Sequence, residues 1–157
     1  MRIITRDEFK AACVAGGVPE DKVWCLDDNY AMPSEDDVRM LGRNSYDWLV
    51  SNGLDVFAAE RNDCDKFAVA AWQHTRETHA KGCREKCGIA FGLALIIGNY
   101  GGHALNFAIH ARDNGELYLC LYEPQIMSND RNELGRPYIA LRELPLSSVA
   151  LWSLALC

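Results

Sequence analysis

Residues 103–123 read HALNFAIHARDNGELYLCLYE, two runs in which apolar side chains recur at every second position. This alternation is typical of half-buried strands, so His103–Ala111 and Glu116–Glu123 are predicted β-strands. Asp113-Asn114-Gly115 between them is a turn sequence, which makes the two runs an antiparallel hairpin. We expect the rest of the chain to pack around this hairpin.

The segments around the hairpin divide into predicted helices before it and predicted strands beside it. Helices first and an antiparallel sheet second predict one α+β domain over residues 1–157, helical over about 1–80 and a sheet over about 88–157. The predicted elements are Thr5–Ala15, Ser34 to near Gly42 with another turn at Ser45–Val50, Cys64 to about Ala80, Ile89–Ile97 and Tyr138–Leu144.

N-capping residues mark where the first two helices begin. Thr5 stands three residues before Glu8, which is the spacing of a capping box. Ser34 is a favourable N-cap, and the three acidic residues that follow it suit the positive end of a helix dipole. Both starts are therefore predicted from local sequence alone.

Composition and charge narrow the class of function. The chain is 49% hydrophobic and 24% charged, which is ordinary for a globular protein. A formal net charge of −6 disfavours nucleic acid as a partner. The N-terminus lacks a signal peptide, and the longest apolar run is too short to cross a bilayer. We expect a cytoplasmic protein without a membrane partner; the sequence does not indicate its oligomeric state.

The seven cysteines are an odd number, so an intrachain set of disulfides leaves at least one thiol over. Because the sequence has no export signal, a disulfide framework is disfavoured. Free thiols, a metal site or one reactive cysteine are favoured instead. The question is then which cysteine differs from the others.

Cys64 differs because it is predicted to lie in the first turn of a helix. Asp63 is a good N-cap, and the backbone N–H groups and dipole at a helix start stabilise a thiolate or an oxyanion. Asp63 and Asp65 oppose ionisation of the thiol between them, since nearby negative charge disfavours a second anion. Cys64 therefore needs a cation beside it, either a protonated histidine or a metal ion.

His103 and Glu123 are the predicted partners of Cys64. Gly102 precedes His103 and leaves room beside the imidazole, which makes it a candidate substrate contact. Glu123 ends an apolar strand face, where an acid is a poor choice for packing. A two-residue hairpin loop would pair Asn106 with Glu123 and separate the acid from His103. A three-residue loop pairs Leu105 with Glu123, and the two then share a face.

Three motifs carry a resemblance to a known family over about residues 55–125. A cysteine at a helix start, a histidine on a strand and an acid on the next strand resemble the papain-like and transglutaminase-like fold. More narrowly, the motifs resemble the C-terminal papain-like domain of Marasmius-type fungal agglutinins and related small phage and bacterial proteins. They are Asn62-Asp63-Cys64-Asp65-Lys66-Phe67-Ala68, Gly102-His103-Ala104-Leu105-Asn106 and Glu123-Pro124-Gln125.

This resemblance implies a cysteine peptidase, a thiol hydrolase that acts on a peptide or protein and depends on a divalent cation such as calcium or manganese. It makes Cys64, His103 and Glu123 the catalytic triad. It also places Asp65 and Gln125 near the metal. Papain has an oxyanion-hole glutamine six residues before its cysteine, whereas this chain has alanine there.

Two rival hypotheses keep parts of the same pattern. In the first, a papain-like fold has lost its chemistry and acts as a binding or inhibitory protein of the phage type. In the second, the chain is a cell-wall amidase of the NlpC/P60 kind. That family usually has Ser-Gly after the cysteine, where this chain has Asp65-Lys66. In an active enzyme, Asn62 is the candidate replacement for the missing oxyanion donor.

A separate motif, His79-x3-Cys83-x3-Cys87, has ligand types that suit zinc. On a continuous helix the three residues would share a face, but flanking glycines indicate a loop. A fourth ligand would have to be Cys120 or Cys25. Because the spacing is not that of a zinc finger, the sequence disfavours a structural zinc. A disulfide between Cys83 and Cys87 is the alternative.

Overall fold

The computed structural model describes residues 1–53, 64–98, 101–124, 142–144 and 149–157. Within these ranges no helix is both long enough and apolar enough to cross a bilayer. The elements are β1 (Ile3–Thr5), α1 (Arg6–Ala15), a 3-10 turn at Glu20–Lys22, β2 (Val23–Trp24), β3 (Asn29–Ala31), α2 (Glu35–Ser51), α3 (Cys64–Gly82), β4 (Gly88–Ile89), β5 (Phe91–Gly98), β6 (Gly101–Ala111), β7 (Leu117–Glu123), β8 (Arg142–Leu144) and β9 (Val149–Leu156).

Both predicted helix starts are confirmed. The Thr5 hydroxyl accepts a hydrogen bond from the Glu8 backbone N–H, and the Glu8 carboxylate accepts one from the Thr5 N–H. Ser34 and Asp37 form the same reciprocal pair at the start of α2. Each box satisfies two backbone donors that the first helical turn leaves unpaired.

The predicted end of α2 near Gly42 is wrong, because the helix continues to Ser51. Gly42 is buried inside it. Glycine costs about 1 kcal/mol in a helix interior, and α2 recovers that cost by packing against α3. Tertiary packing therefore outweighs the local signal.

The described strands form two sheets, which confirms the α+β class. The larger sheet has the order β2-β9-β5-β6-β7-β8 and the smaller one the order β1-β3-β4. The larger sheet is antiparallel except for the pair of β2 and β9. The sequence did not predict β1, β2, β3 or β9, so the first part of the chain is less purely helical than expected.

Helices cover both faces of the larger sheet around β6. On one face Phe9 of α1 lies 5.9 Å from Phe107, between ring centroids, in the main hydrophobic core. On the other face Ala68 of α3 packs with Leu93 and Ala104. Alternate residues of β6 therefore face different helices, as strand geometry requires.

A buried amide fixes the position of α3 on the sheet. The fully buried Asn106 side chain donates to the backbone oxygen of Ala68 at 2.9 Å and to that of Gly92 at 3.1 Å. One side chain on β6 thus binds both the helix and β5. It holds the first turns of α3 against the strand that carries His103.

The hairpin has the three-residue loop. Asn106 pairs with Tyr122 and Phe107 with Leu121, a register that continues to Leu105 opposite Glu123. Gly115 has φ of 85° in the loop, the left-handed conformation that favours glycine. The register that brings Glu123 onto the face of His103 is confirmed.

Candidate functional site

His103 and Glu123 form a short ion pair at one end of the larger sheet. His103 Nε2 lies 2.6 Å from Glu123 Oε2, across the neighbouring strands β6 and β7. The His103 side chain is 32% exposed and that of Glu123 is 14% exposed. The acid is the more enclosed of the two, and the imidazole is the one that solvent or a ligand reaches more readily.

The pair keeps His103 protonated at neutral pH. The hydrogen bond that His103 donates to Glu123 raises the pKa of His103 from 6.5 to about 9. Burial opposes this rise, while the charge of Glu123 and a hydrogen bond with Cys64 add to it. A protonated imidazole donates from both ring nitrogens. The site therefore presents a held cation next to an anion.

Cys64 lies at the same place. It is the first residue of α3, is half-buried, and packs against the cluster of Ala68, Leu93 and Ala104. Its side chain interacts with His103. The structure thus brings together the three residues that the sequence singled out, although it does not test the catalytic roles predicted for them.

The two glycines before His103 lie at an exposed end of β6. Gly101 and Gly102 are both exposed, and a Cβ atom added to either would meet no other atom within 4 Å. Gly101 has φ of 104°, a conformation that side chains disfavour. The role of Gly102 as a substrate contact beside His103 stays a prediction.

The other predicted site residues are less informative. Asn62 and Gln125 lie outside the described residues, and Asp65 is exposed on α3. The oxyanion donor and the calcium or manganese site thus stay predictions. Ala58, at the position of the papain glutamine, also lies outside the described ranges.

Cys64 differs from the other cysteines in its surroundings. All seven lie among the described residues, and no disulfide joins any two of them. Cys13, Cys120 and Cys157 are buried, and burial raises the pKa of the Cys13 and Cys157 thiols. Burial also raises the pKa of the half-buried Cys25. Cys64 is the cysteine that interacts with a protonated histidine.

His79, Cys83 and Cys87 also come together, with their ligand atoms within 4.8 Å of one another. The predicted fourth ligand is wrong for the described part of the chain. Cys120 is buried in the core against α2, and Cys25 packs on the main core beside α1. Neither joins the group of three.

Sequence reasoning missed a buried polar pair at the far end of β6. His110 Nδ1 donates to the backbone oxygen of Pro33 at 3.1 Å, and its Nε2 lies 2.7 Å from the Tyr122 hydroxyl. An open concavity of about 590 Å³ adjoins His110. Because both ring nitrogens have partners, this histidine is structural. In the sequence, His110 stands between apolar residues of the strand, and this pattern does not indicate a structural role.

We predict that iodoacetamide alkylates Cys64 about tenfold faster than Cys25 at neutral pH. Cys64 is half-buried and lies beside the His103 imidazole, whereas burial raises the pKa of the Cys25 thiol and lowers its reactivity. Peptide mapping by mass spectrometry measures both rates in one sample. In His103→Gln the Cys64 rate should fall while the Cys25 rate stays constant. Equal rates for the two thiols in the unaltered chain would contradict the prediction.

Comparisons with known proteins identify the fold. No protein-family model matches the sequence, and no curated protein matches it significantly. A solved complex of PSL1a with E64 superposes with a TM-score of 0.72 at 19% identity, over 99% of this chain and 51% of the other. Polyporus squamosus lectin bound to the human-type influenza-binding epitope Neu5Acα2-6Galβ1-4GlcNAc superposes with a TM-score of 0.68 at 18% identity, over 99% and 49%.

These neighbours correct the functional predictions. The predicted kinship with papain-like cysteine peptidases is wrong, and so is the prediction of an enzyme, whether a thiol hydrolase on peptide or protein substrates or a cell-wall amidase. The chain shares its fold with a protein named as a lectin and spans about half the length of each neighbour. The fungal-agglutinin part of the resemblance agrees with this fold. A thiol, an imidazole and a carboxylate can contact a ligand without catalysing a reaction, because fold and site type do not determine function.

Proposed function

We propose that this chain is a binding protein that recognises a glycan bearing a carboxylate, at the site formed by Cys64, His103 and Glu123. In this proposal residues 1–157 form one domain with a papain-like or transglutaminase-like arrangement, used for binding. One neighbour supports it, because it is named as a lectin bound to a sialylated trisaccharide.

The observation that carries the proposal is the protonated and partly exposed side chain of His103. A histidine with a pKa of about 9 holds its charge at neutral pH, and charge-assisted hydrogen bonds to a carboxylate are about twice as strong as neutral ones. Glu123 has two carboxylate oxygens, which suit hydroxyl donors of a sugar. Gly101, two residues before His103 on β6, carries no side chain, and a Cβ there would meet no other atom within 4 Å.

The negative net charge of the chain opposes the long-range attraction of an anionic ligand. A net charge of −6 repels an anion at long range, so recognition depends on the local imidazolium. Added salt screens this repulsion. We therefore expect binding of a carboxylate-bearing glycan to respond strongly to the charge state of His103.

Isothermal titration of the full chain with Neu5Acα2-6Galβ1-4GlcNAc, and with the same glycan lacking sialic acid, tests the proposal. We expect the sialylated form to bind at least about tenfold more tightly, which corresponds to about 1.4 kcal/mol. His103→Gln should remove that preference. His74→Gln is the matched control, because His74 is a half-buried histidine that stacks on Trp48 away from this site.

The pH dependence follows from the raised pKa of His103. Binding of the sialylated glycan should persist at neutral pH and weaken as the pH rises through about 9. Equal affinity for the two glycans contradicts the carboxylate contact. Unchanged binding in His103→Gln contradicts the site, and no binding of either glycan contradicts the function.

A further inference from the structure

We propose that His79, Cys83 and Cys87 form a zinc site with three protein ligands and one open coordination position. The inference does not rest on the glycan-binding proposal, since these residues lie at the opposite end of α3 from Cys64. Two thiolates and an imidazole are ligands that zinc prefers. The group was disfavoured on sequence spacing, and its geometry reverses that conclusion.

The chain brings the three side chains together by ending a helix and folding back. The Cys83 backbone N–H donates to the His79 carbonyl at 2.7 Å, so the helical hydrogen bonding reaches Cys83 and aligns it with His79 on one face. The loop then turns, with the Cys87 N–H bonded to the Glu85 carbonyl at 3.0 Å. This reversal replaces the continuous helix that the sequence spacing would need.

The distances match a tetrahedral site. Cys83 Sγ lies 3.9 Å from Cys87 Sγ, and Cys87 Sγ lies 4.0 Å from His79 Nε2. With a Zn–S bond of about 2.3 Å and a Zn–N bond of about 2.05 Å, tetrahedral angles require about 3.8 Å between sulfurs and about 3.6 Å between sulfur and nitrogen. The third pair, Cys83 Sγ and His79 Nε2, lies within 4.8 Å, so side-chain shifts of at most about 1 Å bring all three atoms into range.

The surroundings suit metal entry. All three side chains are half-buried, unlike the cysteines that fill the core. The His79 Nε2–H donates to the Cys87 carbonyl at 3.2 Å, and a Zn–N bond would take the place of this contact. The fourth position is open for water or a ligand, as at zinc sites with three protein ligands.

A bound zinc would fix the connection between α3 and the smaller sheet. Cys87 directly precedes β4, whose Gly88 pairs with Tyr30 on β3. The metal would therefore tie the end of α3 to the loop that enters this sheet. Because binding occurs only in the folded state, zinc should raise the melting temperature of the chain.

Titration of the reduced, full-length chain with Co²⁺, followed by displacement with Zn²⁺, tests the site. We expect one Co²⁺ per chain with a thiolate charge-transfer absorption, and a higher melting temperature with Zn²⁺. Cys83→Ser, Cys87→Ser and His79→Gln should each weaken binding at least about 100-fold, since loss of an outer-shell partner alone costs about 10–100-fold. Cys25→Ser and Cys64→Ser are the matched controls and should bind normally.

Circular dichroism without metal verifies that each variant is folded. Failure of the reduced chain to bind stoichiometric metal overturns the proposal, and so does binding that survives in Cys83→Ser and Cys87→Ser. Binding lost only in Cys64→Ser would place the metal at the glycan site and would also overturn it. Normal metal binding without glycan binding leaves this site intact and contradicts only the proposed function.

Discussion

Gly92→Ala is expected to lower the free energy of unfolding by about 3 kcal/mol, at the upper end of the usual range for overpacking a core. A Cβ atom at this position would collide with the ring of Phe107 and lie 2.5 Å from the backbone oxygen of Leu156. Phe107 is fully buried between β6 and α1, and Leu156 is held in β9. Neither neighbour can move without disturbing the sheet.

Denaturant unfolding of the variant and the unaltered chain measures this effect. Gly102→Ala is the control, because a Cβ there meets no atom within 4 Å. It should change stability by less than about 1 kcal/mol. If the two variants are equally stable, the close approach of β5 to Phe107 is incorrect.

Glu123→Gln is expected to lower the pKa of His103 from about 9 toward its usual value of 6.5. The hydrogen bond to Glu123 and its charge are what chiefly raise that pKa, and in the variant burial opposes only the smaller contribution of Cys64. The titration of the His103 ring by nuclear magnetic resonance measures the change. Glu116→Gln, which removes an exposed acid near Arg112, should leave it unaltered. A His103 pKa that stays near 9 in Glu123→Gln would contradict the pair.

The same substitution changes how stability depends on pH. A pKa raised in the folded state gives stability that is fully present below about 6.5 and is lost as the pH rises through about 9. We expect a loss of about 1 kcal/mol over that window in the unaltered chain, after allowing for solvent screening of a group that is about one third exposed. Glu123→Gln should show no such loss, which denaturant unfolding at a series of pH values measures.

Local signals allowed much of the fold to be predicted. The two capping boxes at Thr5 and Ser34 involve residues three positions apart, so they are visible in sequence. The hairpin loop at Gly115 is equally local. Its three-residue register puts Glu123 on the face of His103, because strand parity converts sequence position into a face.

Features that depend on long-range contacts were not predicted from the sequence. The strand β9 pairs with β5 and, in parallel, with β2, which is separated from it by more than 120 residues. The apolar residues of β9 do not alternate strictly with polar ones, so the two-residue period typical of a strand did not identify it. Gly42 indicated a helix end locally, but packing against α3 overrode it.

The functional predictions show the same limit. Sequence brought Cys64, His103 and Glu123 together correctly, yet the peptidase assigned to them was wrong. The motif specifies residue types and order, whereas function depends on what the whole protein binds. Spacing alone does not reveal the convergence of His79, Cys83 and Cys87, because it depends on a reversal of the chain after Gly82.

The most direct test of the central claim follows the histidine ring signals of isotope-labelled protein during titration with Neu5Acα2-6Galβ1-4GlcNAc. All four histidines lie among the described residues, and three of them are internal references: His74, His79 and His110. The glycan should shift the His103 signals saturably, with the dissociation constant found by calorimetry, and leave the other three unmoved. A His103 signal that stays constant while the glycan saturates the protein, or during a titration in which nothing binds, would contradict the claim.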